Sequence, residues 1–300
     1  MLVRSFVPAH ITAFFVPQFH DDPLKAGSLG AGVNLDKGVN VFASIETGTL
    51  ERHIHVAFNG EPVKREEARI TYSVADELVP KDFSGEVEIW QYFDFPNGYG
   101  FGNSAGGALG TALALSYTFG GTWLKAAQIA HKYEVINRGG LGDVIAQLAG
   151  GMEVRVKAGG PGIGVVDNLF FEGYKVLVVP LGRLSTREVL DGDVVKAIEV
   201  EGKLALEKLL MEPRPERMMA LARGFAERTG LLSGELLELA RQLDKLLSNP
   251  SSMIMLGKGL FALVREKELE GAKALLADLN VPYDVAEIYT EKPRVGRWMG

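Results

Sequence analysis

Residues 93–115 read FDFPNGYGFGNSAGGALGTALAL. The stretch before it, GEVEIWQYF (85–93), alternates at Val87 and Ile89 and predicts a strand ending near Pro96. Glycines follow at 98, 100, 102, 106, 107 and 110, and alanine and leucine then predict a helix from about Ser104 to Thr118. An ordered glycine costs conformational entropy, so a run of them needs a reason. A strand, a glycine-rich loop and a helix together form an anion-binding arrangement. The first helical turn has unpaired N–H groups and a partial positive charge, and glycines let the backbone come close to a phosphate. Gly98, Gly100 and Gly102 are therefore expected to wrap phosphates, and Gly106, Gly107 and Gly110 to let the helix pack tightly. Ser104 falls at the helix start, where its hydroxyl can cap the helix or touch a phosphate or metal.

The chain around this stretch has 300 residues, enough for one large or two ordinary domains. Its 47% apolar and 23% charged residues are those of a soluble globular protein. It has no apolar run long enough for a membrane span, and the N-terminus does not read as a signal peptide. The absence of cysteine excludes disulfides, thiolate catalysis and Cys-ligated zinc, and fits a cytoplasmic location. A net charge of −6, with no basic cluster larger than KPRVGR (292–297), argues against a nucleic-acid partner. A homodimer is compatible with the sequence.

Residues 1–170 read as strands and turns around helices, with ARITYSVADEL (68–78) ambiguous between helix and strand. TWLKAAQIAHKYEVIN (122–137) predicts a helix with Thr122 as N-cap and Gly139 or Gly140 as C-terminal cap. Residues 171–300 run strand, helices, strand, strand, helix, strand, with SMIMLGKGLFALV (252–264) read as two strands around a Gly-Lys-Gly turn. That is a ferredoxin-like order with extra helices, and the whole is an α+β chain of two domains, 1–170 and 171–300.

No segment fits the Walker A pattern. GFGNSA (100–105) fits G-x-G-x-x-A, but a long helix follows it where a dinucleotide fold needs the next parallel strand. PNGYGFGNSA (96–105) instead resembles the central P-x-x-x-G-[LM]-G-S-[SA]-A motif of the GHMP kinases, departing at Phe101 and Asn103. The resemblance implies a two-domain fold: an N-terminal domain like domain 2 of ribosomal protein S5 and a C-terminal ferredoxin-like domain. It implies that Pro96, Gly98, Gly100, Gly102, Asn103, Ser104, Ala105 and Gly106 surround the triphosphate of ATP, with Ser104 helping to hold Mg²⁺. HKYEVINRGGLGDVIAQLAGG (131–151) resembles the family's helix Glu, Gly-rich turn and Asp. On that match Glu134 is a Mg²⁺ ligand and Asp143 the catalytic base or hydroxyl-orienting group. Without the loop, Glu134 would read as a solvated helix carboxylate and Asp143 as a helix cap. VPAHITAFF (7–15) falls at the family's first motif, where some members carry a catalytic Lys and this chain has His10.

GSLGAGVNLDKGV (27–39) together with GGLGDVIAQLAGGMEVRV (139–156) is most similar, within that family, to the archaeal pantoate kinases. This implies ATP-dependent phosphorylation of the terminal hydroxyl of pantoate, on the archaeal route to coenzyme A. A small carboxylate substrate calls for a cation. Arg155 follows the Asp143 segment and could grip a carboxylate with both edges of its guanidinium. His131 shares a helix face with Glu134, Ser28 sits in a Gly-flanked loop and Thr186 opens a helix; these complete the expected substrate contacts. Three alternatives stand beside this reading: another GHMP kinase of mevalonate, homoserine or shikimate type, a non-catalytic ligand sensor on the same fold, and a nicotinamide or flavin oxidoreductase.

Overall fold

The computed structural model describes residues 1–48, 51–184 and 193–299. It begins with two long antiparallel strands, β1 (Leu2–Gln18) and β2 (Gly27–Thr47), whose register shifts between Pro8 and Ala9 and between Thr12 and Phe14. β3 (Arg52–Phe58), β4 (Glu61–Pro62) and β5 (Gly85–Phe93) extend one end of the sheet. α1 (Arg69–Leu78) settles the ambiguous segment as a helix, burying Thr71, Tyr72, Val74 and Ala75. α2 (Asn103–Phe119) and α3 (Trp123–Ile136) pack beside it, and α4 (Asp143–Ala149) leads into the predicted hairpin of β6 (Met152–Lys157) and β7 (Val165–Leu169). β6 adds to β2 at Gly30 and Ala31, away from the half of β2 that pairs with β5.

β8 (Lys175–Arg183) opens the second sheet. α5 (Asp193–Met211), α6 (Pro215–Arg228) and α7 (Gly234–Asp244) follow, then β9 (Ser252–Met253), β10 (Gly257–Val264), α8 (Glu266–Asp278) and β11 (Asp284–Glu287). The sheet order β11-β8-β10-β9 is the 4-1-3-2 arrangement of a ferredoxin-like unit. β12 (Arg294–Arg297) then returns to the first sheet along the edge of β1. The sheets also touch directly: Leu35 bridges Ile288, and Lys37 pairs with Asp284 at 2.5 Å. One continuous core joins Ile11, Phe14 and Leu35 of the first sheet to Leu177 and Phe261 of the second and to Phe225 of α6. Among the described residues no helix is long and apolar enough to cross a membrane.

Two local expectations change. The β9–β10 turn lies at 254–256, not at Gly-Lys-Gly, and Gly257 N–H closes it on Ile254 C=O at 3.2 Å. Gly257 is needed because a Cβ there would lie 2.0 Å from the Tyr99 carbonyl of the glycine loop. Thr122 does cap α3, its side chain accepting from Lys125 N–H at 3.2 Å. At the other end, however, the left-handed residue is Arg138 (φ +57°), not a glycine. Gly139 serves a different need, since a Cβ on it would meet Glu134 Oε2 at 2.6 Å.

Candidate active site

The glycine loop owes its shape to three left-handed residues, Gly98 (φ +83°), Gly100 (+85°) and Gly102 (+65°), a region costly for any side chain. Its two departures from the family motif make specific contacts. Phe101 stacks on Phe95 with centroids 4.1 Å apart. Asn103 donates to Phe95 C=O at 2.7 Å and to Asn97 Oδ1 at 2.8 Å, tying the loop's two ends together. Gln147 of α4 donates to Pro8 C=O at 2.9 Å and Gly102 C=O at 3.1 Å, fixing the loop against β1. Below the loop, α2 lies almost on the sheet. A Cβ at Gly107 would sit 2.4 Å from Gln91 Oε1, and one at Gly110 2.5 Å from Val41 Cγ2.

Ser104 is inside the first turn of α2 and does not cap it. Its hydroxyl donates to Glu134 Oε1 at 2.5 Å across from α3. Burial pushes the Glu134 carboxyl up to about 8; the Ser104 hydrogen bond opposes this and the nearby Asp143 charge adds to it. Gly139 and Gly140 leave room for these acids: a Cβ on Gly140 would lie 2.7 Å from Asp143 Oδ2 and 3.3 Å from Glu134 Oε2.

Asp143 opens α4 with its carboxylate partly exposed. Oδ1 accepts from His10 Nδ1 at 2.8 Å, and His10 Nε2 donates to Glu153 Oε1 at 2.9 Å. Arg155 Nη1 donates to the same Glu153 oxygen at 2.5 Å. Both ring nitrogens of His10 face carboxylate oxygens, so both carry protons and the ring is an imidazolium. Two cations thus balance two anions in a buried string running Asp143, His10, Glu153, Arg155. Burial alone would depress the His10 pKa, but the bonds to Asp143 and Glu153 raise it. Burial alone would raise Asp143; the His10 bond and charge, aided by Arg155, hold it below the usual carboxylate range.

Two cavities meet at Asp143. One, of about 500 Å³, is walled by the loop from Asn97 to Ala105, by Glu134, and by Leu184, Met255 and Leu256 from the second sheet's side. The other, of about 570 Å³, contains Ser28, His20, Arg138 and Gly140 to Gly142. Thr12, Gly139, Asp143 and Leu256 belong to both.

Of the expected residues, the loop, Ser104, Glu134 and Asp143 come together at the first cavity, and Ser28 joins Asp143 at the second. Arg155 and His131 line neither. Arg155 is 1% exposed, with its guanidinium turned onto Glu153. His131 is also 1% exposed, its Nε2 bonded to Ala26 C=O at 3.0 Å and its ring against Gly160. Burial lowers the His131 pKa, so this ring is neutral where His10 is charged. Thr186 lies outside the described residues. Glu153, Gln147, Thr12 and Arg138 were not singled out from the sequence. The one local signal was for Glu153, a carboxylate at a strand position flanked by the apolar residues Met152 and Val154.

Residues 69–151 match the model of the GHMP kinases N terminal domain, the segment that holds the loop, Glu134 and Asp143. The chain is 82% identical over 300 residues, all of both chains, to the pantoate kinase of Thermococcus kodakarensis. The chain belongs to the pantoate kinase family of GHMP kinases. A more distant pantoate kinase, from Methanocaldococcus jannaschii, is 32% identical over 272 residues, covering 90% of this chain and 96% of the relative. A solved structure described as a phosphotransferase related to the CoA biosynthesis pathway superposes on the whole chain with a TM-score of 0.97 at 80% identity. The two-sheet α+β fold with its glycine loop is therefore that of a GHMP kinase, and the chain is an enzyme.

Proposed function

We propose that this enzyme transfers the γ-phosphoryl group of ATP to the terminal hydroxyl of pantoate, giving 4-phosphopantoate for coenzyme A synthesis. The observation that carries the reading is Asp143 at the seam of two cavities, one walled by the glycine loop and Glu134 and the other containing Ser28 and Arg138. The 82% identity with a pantoate kinase over the full chain supports the choice of acceptor. Residues 1–170 hold the nucleotide loop in this proposal, and residues 171–300 close the site with Leu184, Met255 and Leu256.

The loop residues Pro96, Gly98, Gly100, Gly102, Asn103, Ala105 and Gly106 surround the phosphates at the N-terminus of α2, where backbone N–H groups are free. Ser104 and Glu134 offer two hard oxygen donors beside that loop, a donor set that suits Mg²⁺ and would hold it there. An ion held there would supply positive charge against the transferring group. Asp143 accepts a hydrogen bond from the acceptor hydroxyl and aims its oxygen at the phosphorus. Because its pKa is depressed, it orients the nucleophile and takes the proton late, which suits a loose phosphoryl-transfer transition state. His10 holds Asp143 in position and in its charged form. Ser28 contacts the acceptor, while Arg155 acts from behind through Glu153 and His131 through Ala26.

The test is ADP release with ATP and Mg²⁺ against pantoate, mevalonate, homoserine, shikimate and galactose. Turnover with pantoate alone is expected. Turnover with another acceptor instead would discard the pantoate assignment, and silence on all five would discard the kinase reading.

A further inference from the structure

Pantoate carries a carboxylate at one end, the reacting hydroxyl at the other and a dimethyl carbon between them. The second cavity has matching parts. Phe15, Pro17, Val135, Leu141 and Leu256 give it apolar walls, and Asp143 stands where the hydroxyl must be. An acceptor carboxylate cannot share the Asp143 end, because two facing carboxylates repel. It must lie at the part of the wall that carries positive charge, and the lining residue able to supply that is Arg138.

Arg155 does not line this cavity: it is buried behind Gly142, with Nη1 on Glu153 and an Nε that has no hydrogen-bond partner among the described residues. Arg138 is exposed, and its guanidinium has no hydrogen-bond or ion-pair partner among the described residues. Its backbone adds a second observation. It occupies the left-handed position after α3, where glycine is the usual residue and a side chain costs about 1 kcal/mol. The chain keeps an arginine at that costly position, on the cavity wall, next to a run of glycines. His20 adds a second polar group, its Nδ1 accepting Asp22 N–H at 2.9 Å.

Resting on the acceptor reading above, we infer that Arg138 grips the acceptor's carboxylate and thereby selects small hydroxy acids over their neutral analogues. The planar fork supplies two parallel N–H donors to the two carboxylate oxygens.

The experiment compares pantoate with its neutral amide, 2,4-dihydroxy-3,3-dimethylbutanamide, in wild type, Arg138→Ala, Arg138→Lys and Arg155→Ala. Arg138→Ala should raise KM for pantoate roughly 10- to 100-fold, the loss expected for a charge-assisted contact. KM for ATP and kcat should stay close to wild type, and the preference for acid over amide should disappear. Arg138→Lys should restore part of that preference. Arg155→Ala should slow acid and amide alike. An unchanged acid-to-amide ratio in Arg138→Ala overturns the inference, as does loss of the ratio in Arg155→Ala alone. A wild type that turns over neither compound overturns the acceptor reading itself, and the carboxylate grip with it.

Discussion

His10 is a cation enclosed by protein, with Asp143 on one ring nitrogen and Glu153 on the other. Its pKa in the folded protein lies above the unfolded value, so its contribution to stability is complete below the ordinary imidazole range and is lost as pH rises through the raised value. Asp143 behaves oppositely: its contribution is present above the ordinary carboxylate range and is lost as pH falls through its depressed value. Activity should therefore show no break where free imidazole titrates, near pH 6.5. Glu153→Gln removes one anionic partner of His10 and should bring the alkaline limb of the kcat profile down toward neutrality. A limb that stays in place would remove Glu153 from the role given to it. At this scale the sequence was legible where a residue's meaning is local. Ser104, Glu134 and Asp143 each stand in a motif. Glu153 does not, because MEVRV reads as an ordinary hairpin strand and its link to His10 spans 143 residues of chain. For Arg155 the residue type was legible and its burial was not: one nitrogen of its guanidinium is bonded to a carboxylate two positions away.

The loop and α2 use glycine in two ways that mutation can separate. Gly100 has φ +85°, and a Cβ there would come within 2.6 Å of Met255 C=O. Gly100→Ala should therefore distort the loop, raising KM for ATP as well as lowering Tm. Gly107 faces Gln91, whose amide donates to Thr71, Gly107 and Thr111. Gly107→Ala should cost about 1–3 kcal/mol through overpacking. Its KM for ATP should stay near wild type, as measured by thermal unfolding and steady-state kinetics in parallel. Equal effects of the two variants on KM would erase the distinction. The strand–loop–helix order and the rhythm of the second half could be read from periodicity and glycine spacing. The β9–β10 turn and the end of α3 could not. There the glycines answer to neighbours distant in sequence, the Tyr99 carbonyl and the Glu134 carboxylate, and not to the turn they adjoin.

Across the whole molecule, the site exists because two sheets share one core and bring the 254–256 turn over the loop. Glu134 sits deep in that seam with its carboxyl pushed up to about 8, so in the metal-free protein it is largely uncharged at neutral pH. Glu134→Gln should then leave the Tm of the metal-free protein little changed, yet raise the Mg²⁺ concentration needed for half-maximal rate by about tenfold or more. An unchanged Mg²⁺ titration would take Glu134 out of the metal site. The central claim is that Asp143 works at the junction of a nucleotide cavity and an acceptor cavity. The most direct measurement is a single-turnover phosphoryl transfer from ATP to pantoate by Asp143→Asn, with binding of both substrates followed by calorimetry on the same preparation. Binding of both should persist while transfer falls about 10²- to 10⁴-fold, the usual contribution of a positioned proton acceptor. Transfer at near wild-type rate by Asp143→Asn would contradict the account.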